Sequence, residues 1–184
     1  MIKNFTDIAF TESVKEEQRA KGSRNNYLGM EKMQMNTLYQ GEKDFIESRD
    51  MFYMSSVGDN GWPYVQFRGG PKGFLKVLSS TQIAFANYRG NMQYISYGNL
   101  VDNGKVALIL MDYPTRTRLK IWAEVELIDS KDAGLSEVLV SENYAATIDH
   151  FIVLNVKAFD WNCPQHITPR YTESEFEKYR IKKG

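Results

Sequence analysis

Met51-Phe52-Tyr53-Met54-Ser55-Ser56-Val57-Gly58-Asp59-Asn60-Gly61-Trp62-Pro63-Tyr64-Val65-Gln66-Phe67-Arg68 is the stretch that decides the fold. Two runs of aromatic and β-branched residues flank an Asn-Gly pair, a strong hairpin signal. Gly69-Gly70-Pro71-Lys72-Gly73 follows as a sharp loop. Further short runs predict strands over residues 74–78 and 82–86. Residues 106–111 are continuously apolar and read as a buried strand. Residues 120–127 alternate, so one face is wet, and residues 151–159 alternate less cleanly. Helical pieces are expected over 90–100, 133–140 and 173–179. Upstream, residues 11–18 look like a capped helix start and residues 42–48 like a second helix. Many short antiparallel strands imply a mainly β protein, a sandwich or barrel. The expected organisation is one domain, with an N-terminal helical arm over 1–40 and a barrel over 41–184.

Composition narrows the function. The 184 residues carry 23 Lys+Arg against 23 Asp+Glu, so no electrostatic footprint for nucleic acid or an anionic membrane is expected. One cysteine, Cys163, excludes an intrachain disulfide and suits a reducing compartment. The N-terminus lacks the apolar run of a signal peptide, and residues 106–111 are too short to span a bilayer. A cytoplasmic protein is expected. The two histidines, His150 and His166, and the lone cysteine write no closed zinc set, so no metal is expected. There is no Gly-x-Ser-x-Gly elbow, and Cys163 with His166 in an extended segment reads as a loop thiol. With no Walker loop and no Gly-x-Gly-x-x-Gly, a nucleotide would need another kind of cradle. No catalytic residue can be assigned.

Three segments carry binding chemistry. In Phe85-Ala86-Asn87-Tyr88-Arg89-Gly90-Asn91-Met92-Gln93, a strand ends, the chain turns, and a helix is expected near Asn91. That geometry makes an anion site, or simply a strand-to-helix turn. Trp161-Asn162-Cys163-Pro164-Gln165-His166-Ile167-Thr168-Pro169-Arg170-Tyr171 is a dense run of polar-tipped side chains. Trp161 could stack a planar ring that Gln165, His166 or Arg170 hydrogen-bonds, or the tail could merely pack on the barrel. Arg68, beside Gly69-Gly70, could grip a phosphate bidentately.

Together, Arg49 to Ser56, Gly61 to Gly70, Phe85 to Asn91 and the Trp161–Arg170 tail resemble the pyridoxamine 5'-phosphate oxidase-like, FMN-binding split-barrel family. The resemblance spans about Glu42 to Tyr171 and points to its oxidase-like branch. It implies a split-barrel homodimer with FMN at the subunit interface. Phosphate contacts would come from Gln66, Phe67, Arg68 and Gly69 and from Ala86, Asn87, Tyr88, Asn91, Met92 and Gln93. The partner chain would contribute Trp161 and Arg170, with Gln165 and His166 near the flavin edge. Two departures stand out. Met92 occupies a position where the family carries a basic residue, a loss of about 1.5–3 kcal/mol unless Arg68, Arg89 or Arg118 compensates. Pro164-Gln165-His166 replaces the Arg-x-His that grips pyridoxal phosphate, so a true pyridoxamine-phosphate oxidase is not expected. The expectation is an FMN-dependent oxidoreductase of a small-molecule substrate. The alternatives are a module that holds or senses FMN, haem or another planar ligand, and a structural dimer with a vestigial pocket.

Overall fold

A computed structural model describes residues 2–162 and 164–183. The N-terminal arm holds α1 (Thr6–Ala9), α2 (Glu12–Ala20) and two short 3-10 turns. Then come α3 (Gln40–Glu47), β1 (Met51–Val57), β2 (Pro63–Gly69), β3 (Lys76–Val77), β4 (Gln82–Tyr88) and α4 (Ile95–Asp102). The chain ends with β5 (Lys105–Asp112), β6 (Thr117–Asp129), α5 (Ala133–Leu139), β7 (Ile148–Asn162) and α6 (Glu173–Lys183). The described strands form one antiparallel sheet in the order β2-β1-β5-β6-β7-β4-β3.

The expected hairpin forms, pairing Val57 with Pro63 through to Met51 with Gly69. Its connection is longer than a two-residue turn. Gly58 donates to Trp62 and Gly61, at φ +80°, supplies the left-handed position. The sheet rolls up although its ladder does not close. Phe52 of β1 meets Phe85 of β4 edge-to-face at 5.1 Å and stacks on Phe74 at 5.7 Å, across strands that share no backbone ladder. Their core also takes Leu108, Leu110, Leu119, Ile121, Ile152 and Leu154. This is a split barrel, with β2 and β4 facing each other across the split.

β4 is buried on both faces, which distinguishes it from the alternating strands. Ile83 and Phe85 face the barrel core, whereas Ala84 and Ala86 join Phe151, Val153 and Leu139 in a second cluster under α5. The arm packs on the barrel through Phe5, stacked on Trp122 at 5.8 Å, and through Leu38, which enters the main core. Thr11 caps α2 by accepting from Val14 N–H. Two expectations need correction. Residues 74–78 give only the two-residue strand β3, because Phe74 and Leu75 turn into the core instead. The helix after β4 begins at Ile95 and not near Asn91; Met92 (φ 58°) and Tyr94 (φ 53°) take left-handed backbone that a helix cannot use. The Cys163 loop reading falls outside the described residues.

Candidate functional site

Strand β2 places polar residues where a barrel would have core. Tyr64, Gln66 and Arg68 share the face of Ser56, Met54 and Phe52, their register partners on β1. An edge strand with a polar inner face leaves an opening, and α4 lies over it. Ser96 donates to Gln66 Oε1 at 2.6 Å, and Asn99 Nδ2 donates to Ser56 Oγ at 3.0 Å. Across the split, Arg68 Nη1 donates to Asn87 Oδ1 of β4. Beside that bond lies a cleft of about 60 Å³, lined by Arg68, Gln66, Asn87, the 90–93 loop and His150 among others.

Arg68 dominates the electrostatics. Its Nε is buried and has no hydrogen-bond partner, and among the described residues no carboxylate pairs with it. Burial pushes its pKa down, with Tyr64 partly opposing. The one carboxylate on the cleft wall, Asp149, is bonded to Arg89 Nε at 2.7 Å. His150 is 9% exposed and its pKa is also pushed down, by burial first and then by Arg68. Arg68 therefore has no bonded counter-ion in the cleft among the described residues. The loop across from Arg68 adds Asn91, whose Oδ1 accepts from Gln93 N–H at 3.2 Å.

The structure brings Gln66, Arg68, Asn87, Tyr88, Asn91, Met92 and Gln93 together around this cleft. Met92 is exposed and adds no cation. Tyr88 sets its ring 4.9 Å from Tyr144. Phe67 points outward on β2, and with Gly69 it lines a different depression. The Ala86 side chain is in the outer cluster, so only its backbone is near. Of the three arginines expected to compensate for Met92, Arg89 is engaged with Asp149. Arg118 is opposite Asn162 in the β6–β7 ladder, outside the cleft.

The tail also sits elsewhere in the same protomer. Trp161 Nε1 donates to Glu42 Oε1 at 2.8 Å and its ring meets Phe45 edge-to-face at 4.8 Å. Arg170 lies over the Tyr113 ring at 5.2 Å. Gln165 and His166 are exposed, His166 at φ 64°. None of these lines the cleft. His150 does, and sequence reasoning weighed it only as a metal ligand. No local signal in the sequence marks it: pairing with Asn87, just after the bulge at Asp149, sets it on the face of Ile152 and Leu154.

Residues 40–161 match the family described as pyridoxamine 5'-phosphate oxidase. No curated protein matches the sequence. Among solved structures, a pyridoxamine 5'-phosphate oxidase candidate from Lactobacillus delbrueckii superposes with a TM-score of 0.51 at 23% identity. It covers 68% of this chain and 94% of its own. An F420 reductase gives 0.50 at 19% identity, covering 67% and 98%. HupZ of Group A Streptococcus gives 0.50 at 14% identity, covering 73% and 99%. At these identities the superpositions establish the fold, and the family match establishes descent. With its split barrel and its cleft between β2 and β4, this chain belongs to the pyridoxamine 5'-phosphate oxidase family.

Proposed function

We propose that the chain binds FMN with the phosphate in the β2–β4 cleft, at the interface of a homodimer, and acts as an oxidoreductase on a small molecule. The observation that carries this reading is Arg68, a half-buried guanidinium partnered by one amide and no anion. A desolvated cation is strongly stabilised by an anion that hydrogen-bonds it. A phosphate monoester fits the donors present: the Arg68 guanidinium, the Asn91 and Gln93 side chains, and the backbone of the 90–93 loop. A three-ring flavin does not fit in about 60 Å³, since ligand pockets usually begin near ~300 Å³. The rings would therefore lie outside the cleft, under cover from a second copy.

The outer side of β2 suits that second copy. Val65 and Phe67 stand two apart on the solvent face of this edge strand, 61% and 57% exposed, with Trp62 exposed beside them. An apolar edge strand of this kind invites pairing. In an isologous dimer the tail would cross to the partner's cleft, and Trp161 and Arg170 would close over the rings there. FMN supplies the redox chemistry when bound. The chain's own residues anchor the phosphate and exclude water from the ring. The rival reading, a module that holds FMN, haem or another planar ligand without turnover, draws on Met92, which leaves the cleft one cation short of the family pattern.

The test is the visible spectrum of the purified protein, followed by titration with FMN and with riboflavin. Uptake of FMN in preference to riboflavin is expected, and uptake of neither rejects the reading. Reduction of the bound flavin by NAD(P)H and reoxidation by a small-molecule acceptor would separate the oxidoreductase from the holding module.

A further inference from the structure

We propose that His150 is the second cationic ligand of the anion cleft, acting as an imidazolium beside Arg68 when a phosphate monoester enters. The proposal rests on the phosphate reading above and deepens it. Four observations carry it. His150 lines the same cleft as Arg68. It pairs in register with Asn87, the residue that accepts the Arg68 hydrogen bond, so the three side chains share one face of the split. Its ring is fixed edge-on against Tyr97 at 4.9 Å, while its ring nitrogens make no hydrogen bond among the described residues. Met92 and Arg89, the basic positions that might have served, supply nothing: one is uncharged and the other is tied to Asp149.

The same surroundings explain a switch in protonation. With the cleft empty, burial and the Arg68 charge both disfavour the imidazolium, and Asp149 favours it more weakly. A phosphate dianion reverses the balance, because a neighbouring opposite charge favours the charged form. The other titratable groups facing His150 are Tyr64 on β2, Tyr88 on β4, Tyr94 and Tyr97 at α4, and Asp129 and Lys131 at the end of β6, with Arg89 beyond β4 bonded to Asp149. Imidazole is the side-chain type whose ordinary titration falls between pH 5 and 8. Ligand entry near pH 7 should therefore draw in a proton at His150. The phosphate's own second ionisation, near pH ~6, works in the opposite direction by releasing one.

The experiment is calorimetric titration of the full chain with FMN at pH 6, 7 and 8, in buffers of different ionisation heat. Wild type should take up a proton at pH 7 and bind about tenfold tighter at pH 6 than at pH 8, tenfold being one pH unit of coupling. His150→Gln should lose about tenfold in affinity at pH 6, little at pH 8, and all proton uptake. His150→Lys should bind tightly with no proton uptake, its remaining pH dependence being that of the phosphate's own ionisation. Proton uptake by wild type needs no variant, so a variant that fails to fold leaves the test standing. Absence of proton uptake in wild type, or unchanged uptake in His150→Gln, overturns the proposal. If FMN fails to bind at every pH, the flavin reading has failed. Inorganic phosphate then decides His150: stabilisation of wild type that grows below pH 7 and vanishes in His150→Gln supports it, and its absence overturns it.

Discussion

Arg68 is held in the cleft by one amide, so replacing it should act oppositely on the empty and occupied protein. In the empty state, Arg68→Met removes a half-buried charge and an orphaned Nε. Relief of about 1 kcal/mol of desolvation should raise Tm by roughly 2–4 °C for a chain of this size. In the occupied state the same change removes a charge-assisted hydrogen bond, and FMN affinity should fall about 10- to 100-fold. Thermal melts with and without FMN measure both arms, and a fall in Tm of the empty variant would show that Arg68 is structural. Met92→Arg tests the neighbouring position in reverse. With His150 filling the role of the family's cation when protonated, the new cation should change FMN affinity little at pH 6 and tighten it about tenfold at pH 8 by fluorescence quenching, and no tightening at either pH would show that position 92 does not reach the phosphate. His150 leaves a signature on stability too. Its folded pKa is depressed below the unfolded value, so the folded state binds fewer protons than the unfolded state in that window. Ligand-free wild type should lose stability relative to His150→Gln as pH falls through about 6.5, the ordinary imidazole value, and keep losing it down to the folded pKa. Denaturant melts of the two proteins at pH 7.5 and 5.5 check the sign.

At the scale of elements, one buried side chain ties the two ends of the arm to each other. Asn4 Nδ2 donates to the carbonyls of Met30 at 3.1 Å and Met33 at 2.7 Å, while its Oδ1 accepts from Thr6 N–H at 2.8 Å. Asn4→Ala removes these part-buried bonds and should cost about 1–2 kcal/mol. The loss should be local: hydrogen exchange would quicken over residues 3–36 and leave β5, β6 and β7 protected. The strands themselves were legible because their side chains alternate or run apolar. β1 matched over Met51–Val57, and β5 needed one residue at each end. What the sequence hid was long-range. Phe74 and Leu75 look like a strand by composition but serve the barrel core, and nothing local distinguishes the two. The 91–94 loop has helical-looking residues, yet α4 must start late to set Ser96 on Gln66 and Asn99 on Ser56. At the site, Arg68 and the 87–93 turn were legible from residue type and glycine placement. His150 was not, because a histidine in a β-rich run gives no hint that its strand will pair it with Asn87 on the face of Ile152 and Leu154.

For the whole molecule, the proposed dimer turns on whether one protomer's tail serves the other's cleft. Within a protomer, the cleft at Arg68 and the tail at Arg170 are separate features, Arg170 resting on Tyr113 and absent from the cleft wall. Changing the outer face of β2 by Phe67→Glu with Val65→Lys should give a monomer in light scattering, with the inward-facing Arg68 retained, and FMN affinity should collapse. That outcome alone would not say which groups cross the interface. Subunit mixing does. Arg68→Met spoils a cleft and Arg170→Ala spoils a tail, so each homodimer should bind FMN poorly. Unfolded together and refolded, the two chains form mixed dimers in which one cleft with an intact Arg68 meets a tail with an intact Arg170, while the other site carries both lesions. Random pairing in a two-fold dimer then restores about one site in four. If the tail serves its own protomer, no pairing reunites an intact cleft with an intact tail, and mixing restores nothing. FMN fluorescence quenching after refolding reads the difference directly, and recovery of about a quarter of the wild-type sites is the expected result.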